Sequence, residues 1–152
     1  DAGVPVTLFE QPVRHDDLDG MRAVRERVCV PVAADESVVT PEDAYRVVSA
    51  GAADVVNIKL MKAGVLGALD IAAVCRAAGV GLMIGCMLES RLGISVAAHL
   101  AAGLGGFSFI DLDGHILTGD TRMAGGFSEE GSRLVLSPDL HGNGVALSDS
   151  GG

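Results

Sequence analysis

Val55-Val56-Asn57-Ile58-Lys59-Leu60-Met61-Lys62-Ala63-Gly64 is the stretch that decides the fold. Its first four residues make a short β-rich run, and Lys59 follows directly. From about Gly64 to Ala78 the apolar residues recur at helical spacing, and the pattern stops at Gly79. The unit is a strand, an ionisable residue at its end, and a helix. Similar units lie on both sides. Upstream, Val30-Pro31-Val32-Ala33-Ala34 ends at Asp35, and Thr40-Pro41-Glu42-Asp43 opens a helix that stops at Gly51. That opening supplies an N-cap residue, proline at the first helical position and two acids facing the positive helix end. Before it, Val6-Thr7-Leu8-Phe9 ends at Glu10 and a helical period runs over Asp16 to Arg27. Downstream, Val80-Gly81-Leu82-Met83-Ile84 leads into Gly85-Cys86-Met87-Leu88-Glu89 and an Ala-rich helix from Leu92 to Leu104. Phe107-Ser108-Phe109-Ile110 then ends at Asp111.

Apolar runs of four or five residues without alternation fit strands buried on both faces, as in a parallel sheet covered by helices. The strand ends Glu10, Asp35 and Lys59 recur at a period of about 25 residues, one strand, one helix and two short loops. A (β/α) barrel and a doubly wound sheet both accommodate this. No Gly-x-Gly-x-x-Gly loop follows the first strand, and every strand ends in a polar or ionisable group, so the barrel is favoured. The expected class is α/β, a partial TIM-type barrel of about five strand–helix units over residues 1–114. Residues 115–152, rich in Gly, Ser and Asp around Arg133-Leu134-Val135-Leu136, read as a C-terminal extension packing back on the barrel or on a capping region. A complete barrel takes about 250 residues, so the 152 present read as part of a larger enzyme.

Composition narrows the function classes. Eleven basic against twenty acidic residues give a net charge of −9, which repels phosphate backbones. Aromatic residues make up 3% and Trp is absent, so no stacking platform for single strands is expected. Nucleic acid and membrane are excluded as expected partners, since no apolar run approaches a span and no basic leader opens the chain. Cys29, Cys75 and Cys86 lack paired spacing, which fits a reducing cytoplasm. His15, His99, His115 and His141 show no mutual metal-ligand spacing.

In a parallel barrel the carboxyl ends of the strands converge on one mouth. Here it collects Glu10, Asp35, Lys59 and Asp111, with Glu36, Glu89 and Asp113 beside them. Two carboxylates on adjacent strands suit a hard divalent cation such as Mg²⁺. A lysine one strand further round, its pKa lowered by that cation, suits proton abstraction next to a carboxylate. Taken singly, each charge has a bland reading as a solvated loop residue or a helix cap. Their common phase along the repeat is what singles them out.

Glu10-Gln11-Pro12, Ala34-Asp35-Glu36-Ser37 and Asn57-Ile58-Lys59-Leu60-Met61-Lys62-Ala63-Gly64 closely resemble the enolase superfamily, in particular its muconate lactonizing enzyme subgroup. The resemblance implies that Glu10 and Asp35 are Mg²⁺ ligands and that Lys59 is the acid/base on one face of the substrate. Lys62 lies off the strand phase and reads as structural. Ile110-Asp111-Leu112-Asp113-Gly114 resembles the Asp-x-Asp motif of dipeptide epimerases of the L-Ala-D/L-Glu type, which implies that Asp111 and Asp113 hold the α-ammonium group of a dipeptide substrate. Gly85 to Ser90 resembles the family's substrate-facing segment, implying substrate contacts from Cys86 and Met87. Glu36 and Glu89 read as supports, Glu89 orienting Lys59 or capping the helix that follows.

The chain departs from the family at Val65, where the pattern usually has glycine. The resemblance begins just before the fourth barrel strand, so the expected partner is the missing N-terminal part of the same enzyme, with a third metal ligand and the opposite-face lysine. The expected activity is Mg²⁺-dependent epimerisation of a dipeptide by α-proton removal and return through an enediolate. A cycloisomerase, o-succinylbenzoate synthase or N-acylamino acid racemase would use the same metal and lysine, and a non-catalytic half-barrel or a homo-oligomer is also compatible with the sequence. The isolated chain, with one lysine face, is expected to be inactive.

Overall fold

The computed structural model describes residues 3–119, 122–139 and 141–148. Strand β1 (Phe9–Glu10), helix α1 (Leu18–Arg25), β2 (Val32–Ala34), α2 (Pro41–Ser49), β3 (Val55–Lys59), α3 (Leu60–Ala77), β4 (Gly81–Gly85), α4 (Arg91–Leu104) and β5 (Phe107–Ile110) follow in turn. The strands form one five-stranded sheet in the order β1-β2-β3-β4-β5, each parallel to the next. That order is the one the favoured barrel reading requires. A doubly wound sheet reverses direction at a switch point, whereas a barrel adds each strand on the same side of the last. The sheet is an α/β arc of a (β/α) barrel.

Its two faces carry different residues because side chains alternate along a strand. Val32, Ala34, Val56, Ile58, Leu82 and Ile84 point to the helices and pack with Met21, Ala44, Val47, Ile71, Cys75 and Ile94 in the main core. The inner face carries a smaller cluster of Ala33, Val55 and Met83, flanked by Leu8 and Phe109. One step further along the same alternation come Glu10, Asn57, Lys59 and Gly85, so the inner face turns from apolar to polar toward the carboxyl ends of the strands.

Local chemistry trims several elements relative to the sequence reading. Helix α1 starts at Leu18 rather than Asp16, because the Asp17 side chain accepts from Gly20 N at 2.8 Å and caps it. At α2, Thr40 Oγ1 accepts from Asp43 N and Asp43 Oδ2 accepts from Thr40 N, a reciprocal box with Pro41 just inside. In α3 the chain makes one turn over Leu60 to Ala63, then leaves helical geometry at Gly64 (φ 67), a conformation glycine adopts without steric cost. Strand β1 is shorter than the apolar run Val6–Phe9: Val6 is exposed, and pairing starts only at Phe9 N, which donates to Pro31 O.

After β5 come a short helix α5 (Gly114–Thr118) and strands β6 (Met123–Gly125), β7 (Ser128–Glu130), β8 (Arg133–Val135) and β9 (Val145–Leu147). β6 pairs with β9 and β7 with β8, both antiparallel. Of the expected 115–152 extension, residues 120, 121, 140 and 149–152 lie outside the described residues. The rest touches α4. Arg91 donates to Gly125 O at 2.7 Å and to Phe127 O, and its guanidinium stacks 4.0 Å above the Phe127 ring. Ser95 Oγ donates to Asn143 O at 2.9 Å, and buried Phe127 joins the main core. Among the described residues no helix is long and apolar enough to cross a membrane.

Candidate active site

The ends of β1, β2 and β3 hold one connected group of charges. Lys59 Nζ donates to Asp35 Oδ2 at 2.6 Å, and Lys62 Nζ donates to Asp35 Oδ1 at 2.6 Å. Lys62 also donates to the backbone oxygens of Asp35 (2.6 Å) and Asn57 (3.3 Å). Asn57 Nδ2 donates to Glu10 Oε1 at 2.6 Å. Glu10, Asp35, Glu36 and Lys59 line one cavity of about 590 Å³, together with Gln11, Val13 and His15.

Electrostatics follows from this geometry. Burial works to raise the Asp35 carboxyl, but hydrogen bonds and charge from Lys59 and Lys62 outweigh it and hold the group below its usual range. Glu10 is held above its usual range, first by loss of surrounding water and then by Asp35 beside it, against the opposing hydrogen bond from Asn57. Two carboxylates this close oppose each other's ionisation, and a cation between them relieves the conflict. Burial pulls both lysines down. In Lys62 it prevails, whereas in Lys59 the carboxylates of Asp35 and Glu10 outweigh it and push the ammonium up. Of the two lysines it is thus Lys62 that is lowered and Lys59, on which both strand-end carboxylates act, that is raised; the lowering expected of Lys59 was that of a lysine beside a bound cation.

Gln11 and Ser37 hold the loops that carry this group. Gln11 Oε1 accepts from Asp35 N at 2.8 Å, and Gln11 Nε2 donates to Ser37 Oγ at 2.9 Å. Gln11 adopts φ 38, outside the range non-glycine residues favour, and the strain is consistent with a position fixed by its amide. Sequence reasoning missed Gln11 and Asn57. For Asn57 the signal was there, an amide inside an apolar run two residues before Lys59 and so on the same face.

The other strand ends gather elsewhere. Asp111 and Asp113 are exposed and line a second cavity of about 980 Å³ with Ile110, His115, Ile116 and Leu136, among others, while Leu112 between them is buried. β1 and β5 are the two ends of the arc, which separates these carboxylates from Glu10 and Asp35. Cys86 Sγ accepts from Gly114 N at 3.3 Å, and Met87 is exposed beside it. The Cys86 thiol is raised by burial and by the carboxylates of Asp111, Asp113 and Glu89 around it. Glu89 is buried and accepts from Met87 N at 3.1 Å, so its hydrogen bond shapes the loop, while that of Lys59 goes to Asp35.

A sequence profile described as "Enolase C-terminal domain-like" matches residues 2–150. The chain belongs to the enolase C-terminal domain-like family. An aromatic dipeptide epimerase from Herpetosiphon aurantiacus is 48% identical over 144 residues, 95% of this chain and 40% of that protein. The solved substrate-liganded L-Ala-D/L-Glu epimerase from Bacillus subtilis superposes with a TM-score of 0.89 at 42% identity, covering 95% of this chain and 40% of that one. A dipeptide epimerase from Enterococcus faecalis, solved with Mg and the dipeptide L-Leu-L-Tyr, gives a TM-score of 0.86 at 40% identity, with 93% and 40% covered. This enolase-type chain therefore spans about two fifths of the length of the relatives it matches.

The donor set fits a divalent cation. Glu10 and Asp35 offer hard carboxylate oxygens from adjacent strands. Among the described residues no group of three or more His, Cys, Asp or Glu is arranged around one metal position, and both Asp35 oxygens accept from lysines.

Proposed function

We propose that this chain carries the Mg²⁺-binding carboxylates and one acid/base lysine of a dipeptide epimerase that moves a single proton at an α-carbon. The observation that supports this best is the order Glu10, Asp35, Lys59 along β1, β2 and β3, all lining one cavity. Mg²⁺ on Glu10 and Asp35 would stabilise negative charge developing on the substrate carboxylate and cancel the charge that holds Lys59 up. Lys59 then takes the α-proton on its face, or delivers one to that face. Lys62 keeps Asp35 anchored through its second oxygen and two backbone carbonyls. Gln11 holds the Asp35–Ser37 turn so that the carboxylate does not swing away.

Asp111 and Asp113 hold the α-ammonium of the dipeptide in this reading. Their separate cavity favours a second reading, an enzyme of the same subgroup acting on a carboxylate without an ammonium group. Inversion needs a base on the opposite face, which on this account comes from outside these 152 residues, together with a third metal ligand. The chain alone is then inactive, and its three free thiols support a cytoplasmic setting.

The test grafts this chain onto the Herpetosiphon relative in place of the region it matches. The chimera is expected to epimerise dipeptides such as L-Ala-L-Glu or an aromatic counterpart in Mg²⁺, followed by α-proton NMR in D₂O. A folded, Mg²⁺-binding chimera that epimerises no dipeptide, yet racemises N-acylamino acids, would establish the second reading instead.

A further inference from the structure

Asn57 is 1% exposed and stands on the inner face of β3, two residues before Lys59. Its Nδ2 group is committed to Glu10, while its Oδ1 is buried with no hydrogen-bond partner among the described residues. A buried carbonyl without a donor is costly, and native proteins rarely keep one without a use. Two neighbours, Gly85 and Lys59, border the space in front of it. Gly85 pairs in register with Lys59, and a Cβ at Gly85 would lie 2.6 Å from Asn57 Oδ1 and 3.0 Å from Lys59 Cε. The bare backbone of Gly85 thus leaves one space shared by the amide carbonyl and the lysine stem. Lys59 meanwhile spends its ammonium on Asp35 Oδ2, an oxygen that a bound cation would claim, and Lys62 already holds the other oxygen.

We propose that Asn57 is a positioning residue for both halves of the site: its Nδ2–H sets Glu10 toward a divalent cation, and its Oδ1 accepts the Lys59 ammonium once that cation takes Asp35. The exchange keeps Lys59 on the inner face of the sheet instead of releasing it to water, and Gly85 keeps the space open. The proposal rests on the cation site described above.

The chain holds only two asparagines, Asn57 and Asn143, so asparagine labelled with ¹³C and ¹⁵N yields two side-chain amides, and Asn143→Ser identifies that of Asn57. Magnesium chloride is titrated into the labelled chain and into its Lys59→Met variant. The expected result is a saturable shift of the Asn57 amide protons in both proteins, with a shift of the Asn57 ¹³Cγ in the wild type only. An equal ¹³Cγ shift in Lys59→Met, or a silent ¹³Cγ while the amide protons saturate, overturns the proposal and leaves the cation site standing. No response of either atom up to high millimolar magnesium overturns both.

Discussion

Lys59 and Asp35 meet across neighbouring strands, with Nζ 2.6 Å from Oδ2, although 24 residues separate them in the chain. The repeat makes this contact. One strand–helix unit carries the chain from the end of β2 to the end of β3, so groups at the same phase of the repeat become lateral neighbours. Lys62 adds a second ammonium to the same carboxylate, and the three side chains are 6–14% exposed.

Removing the shared acid is therefore more damaging than removing either base. Asp35→Asn leaves two enclosed ammonium groups without their carboxylate, a change of about 3–5 kcal/mol and roughly 6–20 °C in Tm. Lys62→Met leaves Asp35 paired with Lys59 and is expected to cost less. Thermal melts at neutral pH check the order, and a lower Tm for Lys62→Met than for Asp35→Asn contradicts it.

The same pair sets a pH signature. The folded Asp35 carboxyl titrates below its ordinary 3.8, so its stabilisation is fully present above about pH 5 and is lost as pH falls through that lower folded value. Glu10 has the opposite sign. Its folded carboxyl titrates above 4.5, so ionising it at neutral pH works against the fold. Glu10→Gln is expected to raise Tm slightly at pH 7 without metal, with the gain vanishing below about pH 4. A gain that persists at low pH would point to packing rather than charge.

Thiol reactivity should separate the three cysteines. Cys29 is exposed, Cys86 partly covered, and Cys75 fully buried with its thiol pushed up to about 11 by burial. With an aromatic disulfide reagent at pH 8, Cys29 is expected to react first, Cys86 more slowly and Cys75 only on unfolding. Fast labelling of Cys75 in the native protein would contradict its place on the buried face of α3.

Asp111→Asn and Asp113→Asn discriminate between substrate classes. If the pair binds an ammonium group, each change in the chimera is expected to cost about 10–100-fold in kcat/KM for dipeptides with a free amine, the weight of a charged hydrogen bond. N-acylated substrates should be nearly unaffected. Equal losses on both classes would assign the pair to loop structure, as the N-cap position of Asp113 at α5 allows.

Much of this architecture was legible in the residues. The alternation of apolar runs with capped helical stretches sets the five units, and the common phase of Glu10, Asp35 and Lys59 predicts their meeting. The barrel order was legible in the polar and ionisable strand ends, although unalternating strands taken alone look alike in a barrel and in a doubly wound sheet. The upward push on Lys59 was not legible, because it depends on which carboxylates come within contact, and that is a matter of register rather than of composition. Lys62 reads as structural from its phase and does act on Asp35, yet its two backbone acceptors, Asp35 O and Asn57 O, come from the end of β2 and from β3 and were not legible. Gln11 lay hidden in a loop, where only its strained φ and the four hydrogen bonds of its side chain reveal its task.

The central claim is that Lys59 serves one face of an α-carbon, and deuterium exchange tests it most directly. In the chimera, Lys59→Met is expected to lower epimerisation by about 10²–10⁴-fold, the usual weight of a positioned acid or base. Exchange of the α-proton with D₂O should persist for one epimer, whose proton faces the other base, and disappear for its partner. Epimerisation within about tenfold of wild type, or equal loss of exchange from both epimers in a protein that still binds Mg²⁺, would contradict the assignment.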